Sequence, residues 1–158
     1  MKKYRTEIKW GVIFAISTLV WMYFEKAMGW HDELIAQQLI YTNLFAFVAI
    51  VIYVLALKEK RNKDFMGKMS WKQGFISGII ISVVVAILTP LTQYIAGTWI
   101  TPNLFPNLIN YMVETSRMTE EGANNYFNLK SYMVQGTFFA LTMGVVTSAI
   151  VAFFLKKQ

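Results

Sequence analysis

The sequence predicts an all-α polytopic membrane protein, a four-transmembrane-helix bundle with a short extracytoplasmic amphipathic helix between helices 3 and 4. Composition is the first ground. Of 158 residues, 56% are apolar, 16% aromatic and 15% charged, whereas soluble domains run about 45–50% apolar and about 25% charged. Mean hydropathy is +0.42. The uncharged runs are the second ground. They cover residues 10–24, 34–57, 73–113 and 131–155, or 15, 24, 41 and 25 residues. A bilayer core of about 30 Å takes roughly 20 helical residues. Segregation of charge between the two sides is the third. The length suits a single membrane domain over residues 1–158.

Helix 1 is expected over about residues 8–28. Its uncharged run is short, but Lys9 and Lys26 can carry their ammonium groups to the interfaces on long alkyl stems. The basic start Met1-Lys2-Lys3-Tyr4-Arg5 looks like the n-region of a signal peptide. Trp10, Phe14, Trp21, Tyr23 and Phe24 follow without a small-x-small cleavage site, so the segment reads as a retained span. Helix 2 is expected over 34–57, with Asp32 as its cap. Helix 3 is expected over 72–98, the rest of the 41-residue run being loop. Pro90 should kink it and free the carbonyl of Ala86. Such kinks serve gating in transporters and are also ordinary in membrane helices.

Residues 99–129 form the outer segment. Pro102 and Pro106 bracket a turn, and Leu108, Ile109, Met112 and Val113 then recur at helical spacing. That pattern suits an amphipathic helix lying in the outer interface. Thr119 is placed to cap a further helix, with Glu120 and Glu121 in the first turn where the dipole favours acids. Gly122 stands where a capping box would need Glu. Helix 4 is expected over 130–155. A helix running unbroken from Glu120 to Leu155 would hold 36 residues, about 54 Å. It must therefore protrude, tilt, or break around Gly122-Ala123-Asn124-Asn125, and protrusion with a break is expected.

Charge sorts by side. The N-terminal segment, the 58–72 loop and the C-terminus hold twelve basic residues against three acids, a balance of +9. The opposite side holds three against six, a balance of −3. The positive-inside rule then places both termini in the cytoplasm, in a cytoplasmic (inner) membrane. Trp10 and Trp71 mark the inner interface; Trp21, Tyr23, Trp30, Tyr94 and Trp99 mark the outer one. The expected partners are the lipid bilayer and anionic lipid headgroups at the cytoplasmic face, at roughly 1 kcal/mol per basic residue near the surface. The net +6 thus encodes topology, and nucleic acid is not an expected partner because the Lys and Arg residues flank helix ends.

Lipid gives helices no hydrophobic reason to associate, so small residues must allow close packing. Helix 3 carries Gly74, Ser77, Gly78, Ser82 and Ala86. Helix 4 carries an unbroken fourth-position row, Gly136, Ala140, Gly144, Ser148 and Ala152. Residues four apart share a helix face. The two stripes are expected to face each other or another helix of the bundle; a homo-oligomer interface is the alternative.

Polar residues inside spans are functional suspects. Glu25, Asn43, Gln93, Lys130 and Gln135 could line an outward-facing polar pocket, with Lys130 paired to Glu25 or Glu33. Alternatively the charges lie at the headgroups and the amides bond between helices, at about 0.6 kcal/mol each. His31-Asp32-Glu33 reads as loop chemistry sooner than as a metal or proton site. With no cysteine and one histidine, a disulfide framework and a cysteine metal centre are excluded. No Ser/His/Asp set, Walker loop, dinucleotide fingerprint or HExxH occurs, so neither enzyme activity, cofactor nor metal is expected.

Four motifs carry a resemblance. Trp21-Met22-Tyr23-Phe24-Glu25-Lys26 leads to Gly29-Trp30-His31-Asp32, and Met69-Ser70-Trp71-Lys72-Gln73-Gly74-Phe75-Ile76-Ser77-Gly78 opens helix 3. Thr89-Pro90-Leu91-Thr92-Gln93-Tyr94-Ile95 and Tyr126-Phe127-Asn128-Leu129-Lys130-Ser131-Tyr132 follow. Together they resemble the small bacterial membrane proteins grouped as domain of unknown function 4199. The resemblance implies a four-helix bacterial membrane protein without an established activity, so no catalytic residue is carried over. The expected function is a structural or accessory membrane component, with a second copy or a membrane complex as its candidate partner. A small transporter or channel with an outward-facing polar pocket is the alternative.

Overall fold

The computed structural model describes residues 4–157. Lys2 and Lys3, counted above in the N-terminal basic segment, lie outside the described residues. Helix α1 runs Arg5–Ala27. Helix α2, Ile35–Tyr41, passes through a 3-10 turn at Thr42–Leu44 into α3, Phe45–Asp64. Helix α4, Trp71–Ile95, is prolonged as a π-helix over Ala96–Ile100. Two short helices follow, α5 (Leu104–Glu114) and α6 (Glu120–Tyr126), and then α7, Leu129–Leu155. Among the described residues, four stretches are long and apolar enough to cross a membrane: Arg5–Ala27, Ile35–Asp64, Trp71–Ile100 and Leu129–Leu155. Ile16, Phe47, Ile87, Phe138 and Phe139 are exposed around them, an apolar belt that water would penalise and lipid tails do not.

Local chemistry sets the helix ends. Ser70 and Gln73 form a reciprocal capping box at the start of α4, with bonds of 3.3 and 2.8 Å. Thr119 caps α6 through the Gly122 amide at 3.2 Å, with Glu120 and Glu121 in the first turn. The break in the long helix falls later than expected, at Phe127-Asn128. Asn128 causes it by working in both directions. Its Nδ2 donates to the carbonyls of Asn124 and Asn125, at 3.0 and 2.9 Å, while its Oδ1 accepts from the Ser131 amide at 2.9 Å to open α7. One side chain thus satisfies orphan groups of two helices.

Two expectations about the loops need correction. Asp32 does not cap α2. The chain turns at Gly29, φ 78°, and the Leu34 amide bonds back to the Gly29 carbonyl at 2.8 Å, which leaves the Asp32 carboxylate free to accept from Asn107 Nδ2 at 3.1 Å. Nor does Pro106 bracket a turn. Helix α5 begins at Leu104, so Pro106 lies in its first turn, where a missing N–H has no helical partner to lose. Leu104, Leu108 and Met112 form the buried face of α5 and Val113 is exposed. That buried face packs on Ala123 and Phe127, with Met22, Ile35, Leu39 and Tyr132 around them. Protein, in place of headgroups, covers it.

The ends of the bundle differ. At the basic end the N-terminus of α1, the loop between α3 and α4, and the C-terminus of α7 meet. There Met69 and Lys157 exchange backbone hydrogen bonds of 2.8 and 2.9 Å in an isolated antiparallel bridge. The far end carries the Gly29 turn, α5 and α6. Tyr53, Ala56, Leu57, Met69, Ile81, Val85, Val151 and Ala152 form the core nearer the basic end.

Candidate functional site

The tightest packing is the antiparallel seam between α4 and α7. A Cβ built on Gly74 would lie 3.1 Å from Ala152 Cβ, and one on Gly136 would lie 3.0 Å from Thr89 Cγ2. One on Gly78 would overlap Ser148, and one on Gly144 would overlap Ser82. The α4 stripe (Gly74, Gly78, Ser82) therefore faces the α7 stripe (Gly144, Ser148, Ala152, with Gly136 further along). Ala140, half-buried between them, packs against the core. The serines bury without an orphaned hydroxyl: Ser82 Oγ donates to the Gly78 carbonyl at 2.9 Å, and Ser148 Oγ to that of Gly144 at 2.5 Å. Tyr53 reaches in from α3 and donates its hydroxyl to Ser82 Oγ at 2.8 Å. Helix α1 meets α4 at another close approach, where a Cβ on Gly11 would overlap Val84. Gly11 escaped the sequence reading, although Gly11-x-x-x-Ala15, both buried, is a small-xxx-small pair.

At the far end Glu25 and His31, each 1% exposed, face one another. Glu25 Oε1 accepts from Trp21 Nε1 at 2.7 Å, and Oε2 lies 2.9 Å from His31 Nε2. With a carboxylate there, Nε2 carries the hydrogen of this contact. Nδ1 is buried without a partner among the described residues. The Gly29 turn folds His31 back over α1, and α5 holds it there, Asn107 Nδ2 donating to the His31 carbonyl at 2.8 Å. A cavity of about 40 Å³ lies alongside, lined by Lys26, His31, Asp32, Thr101 and Asn103 among others. That is room for about one water molecule. Replacing His31 with alanine should cost about 1.5–3 kcal/mol, because a buried carboxylate oxygen loses its charge-assisted bond. Thermal denaturation in detergent reads this directly, and an unchanged midpoint would refute it.

The basic end is laced by ion pairs. Glu7, 1% exposed, accepts from Lys60 Nζ at 2.8 Å, and Lys60 also reaches Asp64 one turn on at 2.5 Å. Glu59 pairs with Lys9, accepts from Lys63 at 2.9 Å and from Trp10 Nε1 at 2.8 Å. It stands beyond Leu57, where the apolar run of α3 ends. Arg61 Nη1 donates to the Leu155 carbonyl at 3.1 Å, closing the end of α7. These contacts tie α1, α3 and α7 together. In the sequence the same acids read only as topological charge, and the i, i+4 spacing of Lys60 and Asp64 was the available signal.

A chain with this architecture can be set beside known proteins. Residues 9–157 match the family described as protein of unknown function (DUF4199). The chain belongs to that family. No curated protein and no solved structure matches it. Among the described residues of this DUF4199 chain, no hydrogen bond or ion pair joins any two of the five polar candidates. Glu25 is buried against Trp21 and His31, not Lys130. Asn43 is exposed and donates to the Leu39 and Ile40 carbonyls of its own helix, both at 3.2 Å. Gln93 is half-buried beside Gly136. Lys130 and Gln135 are exposed on α7. Among the described residues of the DUF4199 chain, no group of three His, Cys, Asp or Glu side chains is placed to hold a metal.

Proposed function

We propose that the chain is a non-enzymatic component of a bacterial cytoplasmic membrane, structural or accessory in role, with both termini in the cytoplasm. One observation supports the role: among the described residues no hydrogen bond or ion pair links any two of Glu25, Asn43, Gln93, Lys130 and Gln135, and Glu25 and Asn43 bond to near neighbours instead. The +9 and −3 charge balance of the sequence supports the orientation. Lipid, with anionic headgroups at the basic end, and a second copy or a membrane complex are the partners this role requires.

Two measurements test it. Proteoliposomes carrying the purified chain should release trapped potassium and protons no faster than empty liposomes, and the chain pulled from membranes should bring other membrane proteins with it. Fast release would favour the small-transporter reading, for which the cavity beside His31 is the starting point. A reporter fused after Gln158 should be active in the cytoplasm; activity on the other side would reverse the orientation.

A further inference from the structure

We propose that the corner where α4 begins and α7 ends is a binding site for one anionic phospholipid, an acyl chain lying in an apolar groove and the phosphate on the flanking lysines. The inference rests on the chain being a membrane protein and not on which side the corner faces. The groove holds about 500 Å³ and is lined by Trp71, Ala149, Ile150, Phe153 and Phe154. Its wall is fixed: the Trp71 indole stacks on Phe75 with centroids 4.9 Å apart and donates from Nε1 to the Ala149 carbonyl at 3.0 Å. Phe154, 78% exposed, stands on the other side. A groove of this lining at a helix terminus accepts hydrocarbon at the edge of the bilayer core.

Charge selects the headgroup. Lys72 follows Trp71, and the Lys156 ammonium sits 4.1 Å from the centre of the Phe153 ring. The Met69–Lys157 bridge draws Lys68 and Lys157 to the same corner. No acid occurs between Asp64 and Glu114 or after Glu121. The acids of this end are engaged elsewhere, Glu7 and Asp64 with Lys60, Glu59 with Lys9 and Lys63. The N-terminus of α4, a helix of 25 residues, adds the positive end of its dipole. A headgroup with net negative charge meets this corner with a complement that a zwitterionic one lacks.

The full chain in mild detergent, mixed with dioleoyl-phosphatidylglycerol or dioleoyl-phosphatidylcholine, tests the site by native mass spectrometry. One phosphatidylglycerol per chain should be retained, roughly tenfold more firmly than phosphatidylcholine. Lys72→Gln with Lys156→Gln, both exposed, should bring the two lipids to parity while leaving the helical signal unchanged. Glycerol phosphate, lacking a chain, should not displace the lipid. Equal retention of both lipids, a preference that survives the double substitution, displacement by glycerol phosphate, or a dimer that occludes the groove would each overturn the proposal. Detergent exposes both ends of the bundle, so a reversed topology or a measured flux would leave this site standing, and its failure would leave the accessory role untouched.

Discussion

Gly144→Leu should leave no stable bundle. At Gly144, α7 meets Ser82 of α4 and Tyr53 of α3 at once, and a built Cβ would already lie 2.7 Å from both Ser82 Cβ and Tyr53 Oη. Neither neighbour can give way cheaply. Ser82 is bonded to the Gly78 carbonyl and to Tyr53, so moving either leaves a buried hydroxyl unpaired. Overpacking a core costs about 1–3 kcal/mol where neighbours can shift. Here the helices must separate, and separation loses contact along the whole seam, the main source of cohesion between helices in lipid. We expect a loss above about 3 kcal/mol, with Gly144→Ala intermediate. Val146→Leu, on a face 47% exposed, should be neutral. Thermal midpoints in detergent measure all three, and a wild-type midpoint for Gly144→Leu would remove the seam as the origin of stability.

Lys60→Met should cost nearly as much, about 3–5 kcal/mol, because it strands a charge that water cannot reach. Glu7 is almost wholly buried and Lys60 is its ion-pair partner, while Asp64 is partly exposed and can rehydrate. The pair itself need not add stability, since two ions leaving water lose about what their attraction returns. The informative variant is therefore the double one. Glu7→Gln with Lys60→Met should recover most of the loss. Denaturation of the three proteins decides the matter: a harmless Lys60→Met, or a double variant no better than the single, would refute a buried ionic cluster.

The parts of the fold that could be read in the sequence are those governed by local or additive physics. Charge is costly in hydrocarbon wherever it falls, so uncharged runs mark the four spans. Thr119 caps α6 through atoms three residues away, and the row Gly136 to Ala152 shows its face through helical period alone. What stayed hidden depends on contacts between distant segments. His31 looked like loop chemistry because only the Gly29 turn and Asn107, 76 residues on, bring it over Glu25. The apolar face of α5 was visible as a pattern, but a pattern carries no label for what covers it; Ala123 and Phe127 do so where headgroups were expected. The break at Asn128 escaped because glycine and asparagine at 122–125 are weak helix formers, whereas the actual break needed one amide facing two helices.

The seam also has a consequence for how the molecule is made. Gly74 touches Ala152, and Gly78 touches Ser148, so the third span of the four has its mate in the fourth, which follows it in synthesis. Until α7 arrives, α4 rests in the bilayer with its smooth side turned to lipid, held chiefly by α1 at Gly11. The four-span bundle therefore closes in one step: α7 enters, its glycines settle against α4, and Lys157 pairs with Met69.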